Sequence, residues 1–80
     1  MTIELYRLPG CPYCTKVENT LERLDIPYET HNVPARKSKR DTVFDLTDQY
    51  GVPVIVDSHH DVDGMAESDE IVDYLEATYA

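Results

Sequence analysis

Apolar and polar positions first alternate along this chain. Ile3 and Leu5 are set against Glu4 and Tyr6, and this period of two predicts a strand over residues 3–8. The period then lengthens. Cys14, Val17, Leu21 and Leu24 recur every three or four residues, while Glu18, Glu22 and Arg23 lie off that line, so residues 12–24 predict an amphipathic helix. Pro9-Gly10 punctuates the junction. Pro12 suits the first helical turn, where its missing N–H has no intrahelical partner to lose. Asp25-Ile26-Pro27 breaks the helix, because proline disfavours helical backbone in the residue before it. Residues 28–33 predict a second strand, and its polarity and leading proline suit a sheet edge. Strand, helix and strand make one βαβ unit, with parallel strands and a right-handed crossover.

The second half repeats the theme with an antiparallel ending. After Pro34-Ala35, Ser38 with Asp41 three residues on reads as a helix N-cap with an acid in the first turn. Val43, Leu46, Thr47 and Tyr50, with Phe44 beside them, continue that helix until Gly51 stops it. Residues 52–57 are the most strand-like run, Ser58-His59-His60 is a turn, and residues 61–64 are a short fourth strand. So short a connection makes an antiparallel hairpin. A last helix over residues 68–78 carries Ile71, Tyr74 and Leu75 on one side, with Tyr79 beyond it. The order β-α-β-α-β-β-α predicts one α/β domain over residues 1–80, a four-stranded mixed sheet flanked by three helices.

Composition narrows the class. With 41% hydrophobic residues the chain is globular. No apolar stretch approaches the roughly 20 residues of a membrane span. The start, Met1-Thr2-Ile3-Glu4, lacks the basic and apolar regions of a signal peptide, so a cytoplasmic protein is expected. Sixteen acidic residues face seven basic ones, for a net charge of −9, which argues against nucleic acid and anionic membrane as partners. The acids are spread along the chain, a trait of proteins from salt-rich cytoplasm. A halophilic origin is therefore expected, and melts in low and in molar KCl distinguish it. Four of the seven basic residues crowd into Arg36-Lys37-Ser38-Lys39-Arg40. Arg36 and Lys37 read as a solvated loop, and Arg40 as a candidate for anion capture near the second helix.

The chemistry sits in Gly10-Cys11-Pro12-Tyr13-Cys14, which holds both cysteines of the chain. A disulfide staple gains more from closing a long loop than this short one, and cytosolic disulfides are uncommon. The pair is therefore catalytic or metal-binding. Zinc wants four ligands, and His31, His59 and His60 have no useful spacing to the cysteines, so redox chemistry is favoured and no metal is expected. The histidines read as strand-edge and turn residues without a role. Cys11 opens a helix, where unpaired N–H groups and the dipole favour a thiolate. It is the expected nucleophile, and Cys14, one turn inside, the resolving thiol. Lys16 reads as an exposed helix lysine that adds positive potential nearby.

Cys11-Pro12-Tyr13-Cys14, the strand before it and Val52-Pro53 resemble a glutaredoxin, and the likeness covers essentially the whole chain. Glu67-Ser68-Asp69 before Ile71 resembles the end of a glutaredoxin and equally the N-terminal domain of glutathione transferases. The resemblance implies a thioredoxin fold. It implies a thiol–disulfide oxidoreductase that reduces protein or small-thiol mixed disulfides, in cell redox homeostasis and electron transport. Tyr13 packs on the bound thiol in that reading. Pro53 is cis, with the Val52 backbone pairing with substrate. Ser68 and Asp69 hold the γ-glutamyl end of the thiol, and Arg40 lies near one of its carboxylates. No cofactor is bound; glutathione or γ-glutamylcysteine is the co-substrate. A monomer acting on small thiols and disulfide-bearing proteins follows. The chain departs from the family at Leu8, where a basic residue is usual, and at Ala66-Glu67, where Gly-Gly is usual. A small-thiol-binding module, an iron–sulfur carrier of the same fold and a partner-specific electron donor are the alternative functions.

Overall fold

A computed structural model describes residues 2–80, without the side chain of Lys37. Its elements are β1 (Ile3–Arg7), α1 (Pro12–Arg23), β2 (Tyr28–Asn32), α2 (Asp41–Thr47), β3 (Val54–Asp57), β4 (Val62–Met65) and α3 (Ser68–Tyr79). Single 3₁₀ turns occupy Lys37–Lys39 and Ser58–His60. The strands form one mixed sheet in the order β2-β1-β3-β4. β1 runs parallel to β2 and antiparallel to β3, and β3 and β4 form the antiparallel hairpin. The polar strand β2 is at the edge, as its composition predicts. This is the thioredoxin fold, and the element order is the expected one.

Alternation along β1 sends Ile3 and Leu5 to one face. There they pack with Val17 and Leu21 of α1, Ile55 of β3, Ile71 and Leu75 of α3, and Ile26. Full burial of such a side chain contributes about 1.5–3 kcal/mol, so this cluster is the chief stabilising feature of so small a domain. Val43 of α2 and Val54 of β3 are also fully buried, outside that cluster. Helix α2 lies against β4 at very close range. A Cβ placed on Gly64 would stand 2.7 Å from the Leu46 carbonyl oxygen and 3.1 Å from Leu46 Cβ. Gly64→Ala is accordingly expected to cost about 1–3 kcal/mol through overpacking, read as a lower urea midpoint at unchanged slope.

Several boundaries differ from expectation. Helix α2 begins at Asp41 with Arg40 as its N-cap, and Ser38 lies in the preceding 3₁₀ turn. The reason is Arg40, whose side chain turns inward (4% exposed) and donates hydrogen bonds to the carbonyls of Pro34, Ala35 and Tyr50. The same helix ends at Asp48, in the left-handed region at φ 62°, with its N–H bonded to the Phe44 carbonyl, so Gly51 falls outside it. Tyr50 consequently leaves the helical face and stacks on Phe44, both partly exposed. β3 starts at Val54, two residues late, because a proline at 53 cannot donate to a ladder. Asp61 takes left-handed backbone and β4 shifts one residue on. Helix α3 is capped by Glu67 at φ 72°, making Ser68 the first helical residue instead of the cap.

Candidate active site

The turn after β1 is closed by Gly10 at φ 85°, a backbone conformation glycine adopts without steric cost. The Cys11 N–H bonds back to the Leu8 carbonyl at 3.1 Å. Cys11 itself is the N-cap of α1, and its carbonyl accepts from the Thr15 N–H at 3.1 Å and from Thr15 Oγ1 at 3.2 Å. Its carbonyl is therefore committed to the helix, and its side chain stands among the orphan amides of the first turn.

The two cysteines differ sharply. Both are free thiols; Cys11 is partly exposed and Cys14 fully buried. Burial pushes the Cys11 thiol up, but the Cys14 and Tyr13 N–H groups, the Cys14 thiol and the charge of Arg40 outweigh it, and Cys11 titrates below an ordinary thiol. Burial pushes Cys14 up to about 11, reinforced by the hydrogen bond and charge of Cys11, against the Leu8 amide and Arg7. A thiolate thus forms at one defined sulfur, and its neighbour stays protonated as a hydrogen-bond donor.

Beside this pair runs a groove of about 280 Å³. Tyr13, 63% exposed, forms part of its lining with Val52, Pro53, Ser68 and Asp69. The Val52–Pro53 peptide is cis, as the resemblance implies. Five residues singled out from the sequence therefore meet in one cleft, from the start of α1, the approach to β3 and the start of α3. Gln49, Gly51, Ala66 and Glu67 complete the lining. Of these, Gln49, Gly51 and Ala66 carry no chemical signature; their position in the segments flanking Pro53 and Ser68 was the available signal. Glu67 is held in left-handed backbone at the mouth, and such strain in a non-glycine residue gathers at binding sites.

Arg40 is placed differently. Three of its nitrogens bond to backbone carbonyls, and it reaches the site through its charge, which favours the Cys11 thiolate. Arg7 bonds to Glu18 at 3.1 Å and to Asn32 at 3.1 Å. Asp69 pairs with Lys16, which ties the first turn of α3 to α1.

Residues 5–80 match the family described as Glutathione S-transferase, N-terminal domain. The chain belongs to that family. Among curated relatives, this transferase-type domain is 36% identical over 53 residues to an uncharacterized glutaredoxin-like 8.6 kDa protein of the rubredoxin operon in Clostridium pasteurianum, covering 66% of the chain and 71% of that protein. It is 30% identical over 79 residues to the Gene 56 protein of Mycobacterium phage L5, covering 95% of the chain and 77% of that protein. Among solved structures it superposes on glutathione transferase E6 from Drosophila melanogaster with a TM-score of 0.85 and 31% identity, over 99% of this chain and 36% of that one. A transferase homolog from Drosophila mojavensis, solved with bound glutathione, gives a TM-score of 0.85 and 26% identity over 98% of this chain and 35% of that one. The domain thus spans little more than a third of these transferases. No helix among the described residues is long and apolar enough to cross a membrane.

Proposed function

We propose that this domain is a dithiol thiol–disulfide oxidoreductase of glutaredoxin type, with a γ-glutamyl thiol as co-substrate. The observation that carries this reading is the opposed acidity of the two sulfurs, Cys11 low and Cys14 raised to about 11, beside a cleft lined by Val52-Pro53 and Ser68-Asp69. The Cys11 thiolate attacks one sulfur of a mixed disulfide. A Cys11–S bond forms, the substrate S–S bond breaks, and the leaving thiolate takes a proton from solvent. A second small thiol then attacks the small-thiol sulfur bound to Cys11, forming the small-molecule disulfide and releasing Cys11 as its thiolate; alternatively Cys14, after losing its proton, attacks Cys11 Sγ, releasing the bound thiol and leaving a Cys11–Cys14 disulfide that two further small thiols reduce. Each two-electron reduction of a disulfide consumes two small thiols, which end as their own disulfide. Backbone N–H groups at the start of α3 donate to the carboxylate of the γ-glutamyl end, and Asp69 accepts from its ammonium, which takes the place of Lys16. Soluble disulfide-bearing proteins are the partners in this reading, and a monomer suffices.

A second reading, a small-thiol-binding module without turnover, is favoured by the match to transferase N-terminal domains alone. The reciprocal tuning of the cysteines counts against it. The discriminating assay is reduction of a mixed disulfide with glutathione or γ-glutamylcysteine as reductant. Turnover with either, retained in Cys14→Ser, is expected if the second small thiol does the resolving. Binding of glutathione with no turnover in any protein would establish the module reading instead.

A further inference from the structure

The sheet carries a second cluster of chemistry, on the face turned away from α1 and α3. Ile3 and Leu5 belong to the core beneath those helices, so alternation turns Glu4 and Tyr6 to the opposite face. In the parallel register Glu4 lies beside Glu29, and Tyr6 beside His31. The His31 Nε2 atom lies 3.0 Å from Glu4 Oε1, and the imidazole stacks on the Tyr6 ring with centroids 4.9 Å apart at 25°. One ligand atom from each of Glu4, Glu29 and His31 falls within 4.8 Å of the other two. Tyr6 and His31 also line a second groove, of about 300 Å³, that extends toward Val43 at the start of α2. The thiol chemistry uses none of this.

We propose that Glu4, Glu29 and His31 form a binding site for a divalent transition cation of the zinc class. An imidazole nitrogen with two carboxylate oxygens is a donor set that zinc accepts, and three protein ligands leave a position open. The nitrogen selects zinc, nickel, cobalt or copper over magnesium and calcium, which prefer oxygen alone. An ion about 2.1 Å from each ligand holds the ligands about 3–4 Å apart, so the cluster closes on one by side-chain rotation alone. The ligands stand on neighbouring strands in fixed register, and stacking on Tyr6 orients the imidazole, so little order must be created on binding. The site also accounts for an otherwise unfavourable arrangement. Glu4 and Glu29 are like charges at register-paired positions of adjacent strands, which destabilises a sheet, and a dication removes that repulsion.

Cobalt(II) and zinc(II) are to be titrated into the full chain carrying Cys11→Ser and Cys14→Ser, which removes the thiols that would bind the same ions. One equivalent is expected to bind saturably. Cobalt-induced paramagnetic NMR shifts should centre on His31 and on β1 and β2, and zinc should raise the melting temperature. Added His31→Gln or Glu4→Gln is expected to weaken binding at least about tenfold, and His59→Gln with His60→Gln to leave it unchanged. Absence of saturable uptake, shifts centred on His59 and His60, or an affinity that His31→Gln leaves within about twofold would each overturn the proposal. The strand variants replace exposed or half-exposed side chains, and the melt and the NMR shifts of the unsubstituted cluster give a reading independent of them.

Discussion

Alkylation of the reduced protein by iodoacetamide will proceed in two well-separated steps as pH rises. The first belongs to Cys11, below the range of an ordinary thiol, and the second to Cys14 near 11. Burial alone would push both sulfurs up. At Cys11 it is outweighed by amide donors at the start of α1, the Cys14 thiol and the Arg40 charge. At Cys14 no comparable set of donors opposes it. Turnover should rise along the first step and be insensitive to the second at neutral pH. Cys11→Ser removes the nucleophile and should lower mixed-disulfide reduction on the order of a thousandfold or more. Cys14→Ala removes a hydrogen-bond donor from the Cys11 sulfur, so the first alkylation step should move to higher pH while activity with small thiols persists. A single alkylation midpoint shared by both cysteines would contradict this picture. So would activity untouched by Cys11→Ser.

The second large effect lies far from the thiols. Asp57, the last residue of β3, is 1% exposed, and its carboxylate accepts from Tyr74 Oη at 2.6 Å, from Tyr79 Oη and from the His59 N–H at 3.2 Å, with His60 Nδ1 at 3.1 Å. It clamps the β3–β4 turn onto the C-terminal half of α3. Burial raises its pKa, but the donors more than compensate, and Asp57 titrates below an ordinary carboxyl. Burial and the same carboxylate raise both phenols, Tyr79 to about 12. Asp57→Ala leaves two phenols and an imidazole without their acceptor and should cost about 3 kcal/mol, a fall in melting temperature of more than about 10 °C for a domain this size. Tyr74→Phe should cost about half as much. Because the folded pKa is depressed, this contribution is complete above the unfolded carboxyl range near pH 4 and is lost as pH falls through the folded value. The acid limb of the stability curve should therefore be shallower in Asp57→Asn than in the wild type. Identical acid limbs would rule out the clamp.

Most of the fold was legible because its signals are local. The period switches from two to nearly four at Cys11 and back at Tyr28, and the β-hairpin announces itself by short spacing. What was not legible depends on where particular side chains end up in space. Arg40 looked like one cation in an exposed basic run, yet its guanidinium folds inward to satisfy three carbonyls and resets the start of α2. Asp48 ends that helix three residues before the glycine that sequence favours, because its own αL conformation and amide bond suffice. Asp57 read as a strand terminus, and His60, Tyr74 and Tyr79 as turn and helix residues; only the tertiary fold shows that they share one buried carboxylate. At the site, Cys11 and Cys14 were marked by their own chemistry and spacing, and Tyr13, Val52, Pro53, Ser68 and Asp69 by the resemblance to glutaredoxins and transferase domains. Gln49, Gly51 and Ala66 enter the cleft only through the path of the backbone.

That path divides labour along the chain. Both cysteines and Tyr13, the one residue of that stretch that lines the cleft, lie within residues 11–14, while the rest of the lining comes from residues 49–53 and 66–69. On the proposed oxidoreductase reading, reactivity is encoded in the first half of the gene product and ligand choice in the second, with the β1–β3 pairing as the seam between them. Such a layout lets substrate preference drift by recombination or point change in the later half without disturbing the acidity of the attacking sulfur. On that reading one scaffold keeps the chemistry of its sulfurs constant while its molecular targets diverge.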